Sequence, residues 1–319
     1  MVTAPHSLDL VRLEQHWALA RIFTPLRRGD RPRLDVTLTV GDTTLRVVAP
    51  WVLGIDDLGV LLALLRLALL PERSGHPSAR PQTPVGSQLA SELDVRQLDE
   101  WETRVVDTSL REIGRTAGRG TGGANLRAVT QSLMRLATVT VFVRSSRATL
   151  SAHILGWSGI DLDGRVRVAL HPHVAAAVVG GPATRVDMHA WRALHGEVAR
   201  RLLVWLSAWL RADQTRAIRL DSLANHVWAD DPTDRRSASK RRATIRDSLG
   251  EIDRLDGWTV RIDARNATIT RHAGGCGPCG TTGDNVRHNR RQPAAQQATT
   301  ASQLSLADLP ERLTFRQAR

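Results

Sequence analysis

A chain of 319 residues with 44 lysines and arginines against 32 aspartates and glutamates carries a formal charge of +12, which points to a polyanionic partner, nucleic acid above all. There is no tyrosine, and the single lysine, Lys240, lies between Ser239 and Arg241; DNA cleavage through a covalent phosphotyrosine is thereby excluded, and so is a Walker A loop, which needs Gly-Lys before Ser or Thr. Two cysteines cannot build a disulfide framework, the N-terminus shows no secretion signal, and the longest apolar run, Val60–Leu70, is broken by Arg66 and too short for a bilayer, so a cytoplasmic protein without membrane attachment is expected.

The first twenty residues read as a short helix with Leu10, Leu13, Trp17 and Ala20 on one side. After the basic turn Arg27–Arg33, the alternating runs LDVTLTV and TTLRVVA flank Gly41-Asp42 as a hairpin. A helix is expected from about Ile55 to Leu70, with Asp56 and Asp57 in its first turn, where the helix dipole favours them. Residues 71–90, with Pro71, Pro77, Pro81 and Pro84, read as a surface loop. A helix over about Thr108–Thr116 leads through the turn GRGTGGAN, which matches no nucleotide-binding pattern, into another. In that second helix Leu126, Val129, Leu133 and Leu136 form one buried stripe, while Arg127, Gln131 and Arg135 share a different face. TVTVFV and TLSAHILGW follow as two strands joined by the basic turn RSSRA, and RVRVALHP as a third.

A long helix from about Met188 to Arg211 carries Trp191, Leu194, Val198, Leu202, Trp205 and Trp209. A shorter one, Asp221–Val227, capped by Asp221, precedes a polar turn and the helix in SASKRRATIRDSLGEIDRL. Ile245, Leu249 and Ile252 of that helix should face the core, leaving Ser239, Arg242 and Arg246 outside. WTVRIDARNATITR closes as a hairpin turning near Ala264–Asn266. From Ala273 the chain is rich in Gly, Gln, Thr and Ala and reads as disordered, with SLADLPERL a short helical bystander.

The halves repeat. SLREIG…LRAVTQSL…LATVTVFV parallels SLANHV…RRATIRDSL…LDGWTVRI, setting Ser109 opposite Ser222 and Ser132 opposite Ser248. A helix-turn-helix followed by a β-hairpin is a winged helix. The expected fold class is therefore α+β, helix-rich, with two tandem winged-helix domains: residues 1–165, including the surface loop 71–90, and residues 166–272, followed by a tail, 273–319.

The candidate DNA-binding residues follow from this arrangement. In the second unit Ser239, Lys240, Arg241, Arg242, Thr244 and Arg246 front the recognition helix; arginine suits guanine edges, and Ser, Thr and Lys suit phosphates. Arg261, Arg265 and Asn266 are its wing residues. The first unit offers Asn125, Arg127 and Gln131, with Arg144 and Arg147 at its hairpin turn. No catalytic residue, metal site or cofactor is expected. CGPC (Cys276–Cys279), flanked by His272 and His288, lies in the tail and not at a strand end before a helix, and His171 and His173 lack a third ligand. A winged-helix transcriptional regulator and, more remotely, a thiol or zinc enzyme are the alternatives.

In order along the chain, LARIFTPLRRGDRPRLDVT, LGIDDLGVLLALL, RVALHPHVAAAVVGG, ALHGEVARRLLVWLSAWL and LANHVW…KRRATIRDSLGEIDRLDGWTV resemble replication protein C of IncQ-type plasmids, over about residues 17–271. The last segment, with HVW, KRR and GWTV, is the most specific. The resemblance implies a tandem winged-helix initiator without a catalytic site. It would bind double-stranded direct repeats at a plasmid origin, help open adjacent AT-rich DNA, recruit a plasmid-encoded helicase and primase, and self-associate to control copy number. It places Lys240, Arg241, Arg242 and Arg246 on the second recognition helix. The loop at 71–90 and the tail after 272 depart from it.

Overall fold

The computed structural model describes residues 9–26, 31–40, 43–75, 104–144, 149–171, 174, 183–273 and 316–317. Arg147, His173, Cys276, Cys279, His288, SLADLPERL and most of the 71–90 loop lie outside them. No helix among the described residues is long and apolar enough to cross a membrane.

The N-terminal segment is a strand before it is a helix. β1 (Leu10–Glu14) buries Val11 and Leu13 and pairs antiparallel with β10 (Ala183–Asp187); only Gln15–Leu19 is helical, α1. Leu10, Leu13 and Trp17 have helical spacing, but the two-residue period of Val11 and Leu13 prevails because β10 supplies a ladder partner. The hairpin β2 (Leu34–Val40) and β3 (Thr43–Ala49) forms as expected, with Val40 opposite Thr43, and so does α2 (Ile55–Ala68).

Two copies of one topology follow. In the first, α2 leads to β5 (Arg104–Ser109), α3 (Leu110–Thr116), α4 (Gly123–Ala137) and the hairpin β8 (Leu155–Ile160) and β9 (Arg165–Leu170), with strands in the order β5-β9-β8. In the second, α6 (Glu197–Trp209) leads to β11 (Gln214–Arg219), α7 (Leu220–Val227), α8 (Arg235–Asp253) and the hairpin β12 (Trp258–Ile262) and β13 (Asn266–Arg271), ordered β11-β13-β12. The first unit also holds an inserted hairpin between α4 and β8. Its strands, β6 (Thr140–Arg144) and β7 (Thr149–His153), join β2 and β3 in a sheet ordered β14-β2-β3-β6-β7, β14 being Arg316–Gln317. A short β4 (Ser74–Gly75) flanks β5.

The repeat therefore has a different register from the one the sequence suggests. TVTVFV is the inserted β6; the counterpart of WTVRI is β8. Ser132 and Ser248 do correspond: Val129, Ser132, Leu133 and Leu136 are buried in α4 as Ile245, Ser248, Leu249 and Ile252 are in α8. Ser109 and Ser222 do not. Ser109 caps α3 by accepting from the Glu112 amide at 3.2 Å, and the position before α7 belongs to Arg219. Asp221 consequently caps nothing; it sits in the first turn of α7 and pairs with Arg242.

The expected helix over Met188–Arg211 is two helices, α5 (Met188–Ala193) and α6. The chain turns extended at Leu194, where the Glu251 carboxylate of α8 accepts from the His195 and Gly196 amides at 3.1 and 3.3 Å. An outside partner for two amides offsets the lost helical bonds. On α6, Trp205 stacks on His226 with centroids 4.3 Å apart and on Trp209 at 5.1 Å.

Burial, then the cations Arg201 and Arg21, push the His226 imidazole down to about 4 from its ordinary 6.5. The unfolded chain therefore takes up this proton first. The stability from neutral His226 is fully present above pH 6.5 and is lost as pH falls through 6.5 toward about 4, by at most about 1.4 kcal/mol per pH unit. Urea unfolding between pH 7 and 4.5 checks this: His226→Phe, which keeps a ring against Trp205, should flatten that part of the slope.

Candidate nucleic-acid interface

Helix α8 starts because Asp234 accepts from the Ser237 amide at 2.6 Å, a side-chain N-cap. Its buried stripe, Ile245, Leu249 and Ile252, packs on α6 and α7 as expected, and Ser248 is buried with it. The opposite face is exposed at Arg235, Arg236, Ser239, Lys240, Ala243 and Asp247.

The basic residues of this helix divide by what they touch. Lys240 and Ser239 point outward. Thr244 donates back to the Lys240 carbonyl at 3.1 Å. Arg241 is buried: its guanidinium donates to the Asp230 carbonyl and carboxylate at 2.6 and 2.7 Å and lies over the Trp228 ring, 5.2 Å from its centre. This arginine holds the α7–α8 turn and does not face out with Lys240. Half-buried Arg242 donates to Asp221 at 2.9 Å, joining α8 to α7. Arg246 donates to the Ala264 carbonyl at 2.6 Å, joining α8 to the tip of the β12–β13 hairpin. Arg261, Arg265 and Asn266 are exposed on that hairpin. Arg236, outside the candidate set, also belongs to the outward face; the arginine pair just before SASKRR is the signal in the sequence that points to it. It lines, with Trp228, Thr233, Ser237, Lys240 and Thr244, a surface groove of about 480 Å³ at the front of α8.

The first unit is less basic. Arg127 and Gln131 are exposed on α4 and Asn125 is half-buried at its start, but Arg135 turns inward to Asp57, its Nη2 at 2.7 Å. Arg144 ends β6 and lies on the sheet built from the inserted hairpin, not on the hairpin equivalent to β12–β13. The equivalent tip is Asp161–Gly164, where Asp161 accepts from the Arg165 amide at 2.8 Å and Leu162 is fully exposed. An acidic tip repels phosphate; the Arg261–Arg265 tip attracts it.

No group of three or more His, Cys, Asp or Glu side chains among the described residues is placed to hold a metal ion. His272 bonds Thr259 at 2.9 Å.

A family model described as replication protein C (RepC) matches residues 5–272. The fold is similar to a crystal structure of domains 2 and 3 of RctB, solved as a selenomethionine derivative, at TM-score 0.51 and 10% identity, covering 81% of this chain and 98% of that one. A second crystal structure of the RctB domains 2–3 gives TM-score 0.49 and 9% identity over 81% of this chain and 97% of that one. No curated protein matches.

Proposed function

As the chain belongs to the replication protein C family, a family of plasmid replication, we propose that it is a DNA-binding initiator whose two units are winged helices reading direct repeats at its origin. Bound there, it would promote opening of adjacent AT-rich DNA and recruit a helicase and primase, itself catalysing no reaction. It would act in the cytoplasm.

The observation that carries this reading is the build of α8. Ser239, Lys240 and Arg236 face outward from a helix that Arg242 braces against α7 and Arg246 braces against the hairpin tip. A cationic helix face held rigidly beside a cationic hairpin suits a major groove and its flanking phosphates. α4, with Arg127 and Gln131, is the second reader.

DNase footprinting of the protein on its own replicon's DNA, at near-physiological salt, tests it. Tandem direct repeats beside an AT-rich segment should be protected. A single palindromic footprint at a promoter would instead indicate a transcriptional regulator, and salt-sensitive general binding alone would remove the sequence-reading claim. Lys240→Ala should weaken binding about equally on specific and random duplexes. It should also reduce the slope of log affinity against log salt by about one, the signature of one lost phosphate contact. A loss confined to the specific site would mean Lys240 reads a base.

A further inference from the structure

Units joined by a small, polar interface move relative to one another, whereas those sharing a large apolar one do not. Here the buried apolar side chains of both units form one continuous cluster. At its junction lies α5. Trp191 is 1% exposed and donates its indole N–H to the Ala117 carbonyl, at the end of α3, at 3.1 Å. The ring fits against Gly59 of α2; a Cβ there would lie 3.1 Å from the indole. Its neighbour Arg192 reaches the Thr116 carbonyl at 3.5 Å and the Asp9 carboxylate at 2.7 Å. Arg66 of α2 bonds the same carboxylate. Gly118, at φ +80, makes room for it: a Cβ would stand 2.9 Å from Arg192 Cγ. The other end of this short helix is fastened to the second unit, because His195 and Gly196 donate to Glu251 of α8.

The chain of contacts thus runs from the turn before α4, through Trp191 and Arg192, to the rear of α8. We infer that Trp191 is a positioning residue that locks the two helix-turn-helix units into one rigid body and so fixes the spacing of the two DNA segments they can read together. The DNA part of this inference rests on the proposed function; the lock does not.

The lock is measured without DNA by calorimetric unfolding of the full chain. The wild type should melt in one transition, and Trp191→Ala in two. Two transitions in the wild type would overturn the lock. On the duplex that footprinting defines, inserting about five base pairs between the segments protected by the two units turns one of them to the opposite side of the helix. The wild type should then lose roughly 100-fold in affinity, the contacts of one unit. Inserting about ten restores the phase but not the distance and should cost nearly as much. In Trp191→Ala the penalty for the five-pair insertion should shrink to less than about tenfold, even as binding to the natural site weakens; Trp191→Phe should keep the full penalty. Should Trp191→Ala not fold, Arg192→Ala, which cuts the bonds to Thr116 and Asp9, should show a smaller relaxation of the same kind. Equal penalties in wild type and variants, or free tolerance of insertions by the wild type, would overturn the spacing claim. A single calorimetric transition with no footprint would leave the lock standing and remove the DNA reading.

Discussion

Asp57→Ala should lower the unfolding free energy by about 3–5 kcal/mol. Asp57 is fully buried in the first turn of α2. One carboxylate oxygen accepts from the Gly54 amide and from Arg31, both at 2.8 Å; the other accepts from Arg135 Nε and Nη2 at 3.0 and 2.7 Å. Burial pushes this carboxyl up, yet the hydrogen bonds from Arg135, Ser132 and Gly54, with the Arg135 charge, hold it below the usual carboxylate range. Because the folded value is depressed, its contribution is present above the ordinary value of 3.8 and disappears as pH falls through the folded one. Removing the carboxylate leaves two mostly covered guanidinium groups uncompensated and uncaps the helix. Asp57→Asn keeps the shape and one acceptor but not the charge, and should lose nearly as much. Urea unfolding at pH 7 measures both. A loss under about 1 kcal/mol would show that burying this cluster costs as much as its bonds return.

Arg201→Ala should cost about 3 kcal/mol, combining stranded carbonyls with a cavity. Arg201 is completely buried on α6, and burial, followed by the nearby Arg21, lowers its pKa to about 10. Its guanidinium donates to the carbonyls of Ala18 and Ala20 at 2.7 and 2.6 Å and reaches that of His226 at 3.5 Å. These bonds fasten the end of α1 and the residue after it onto the second unit. Hydrogen exchange should therefore accelerate first in Leu10–Ala20, ahead of global unfolding. Arg201→Lys, which cannot span three acceptors from one planar group, should lose most of the same protection. Unchanged exchange in that segment would mean that the β1–β10 ladder alone holds it.

What the sequence made legible and what it did not divide along physical lines. β2 and β3 were readable because strict alternation runs on both sides of Gly-Asp, a pair that favours a hairpin turn, so pattern and turn signal agree locally. The buried stripe of α8 was readable for the same local reason, as was that of α4 apart from half-buried Leu126. β5 and β11 were missed: RVVDTS and QTRAIR are short and half-polar, and become strands only by pairing with β9 and β13 far along the chain. The insertion of β6–β7 is hidden in the sequence because its alternation is as good as that of the β8–β9 hairpin. At the candidate interface, charge marked Ser239 and Lys240 at the front of the helix, where both are exposed, but of the outer face expected from helical spacing, Ser239, Arg242 and Arg246, only Ser239 is fully exposed. Charge and spacing could not show that Arg241, Arg242 and Arg246 are engaged by Asp230, Asp221 and the Ala264 carbonyl, since those partners sit on other elements.

The inserted hairpin and the unlike hairpin tips make the two repeats unequal among the described residues. Unequal repeats give the chain a head and a tail. On the proposed function, such a chain would be seated on a duplex in one direction only, and copies on sites written head to tail would all point the same way. Asymmetry within one chain would thus give an array of bound copies a polarity, which a two-fold symmetric dimer on a palindrome lacks.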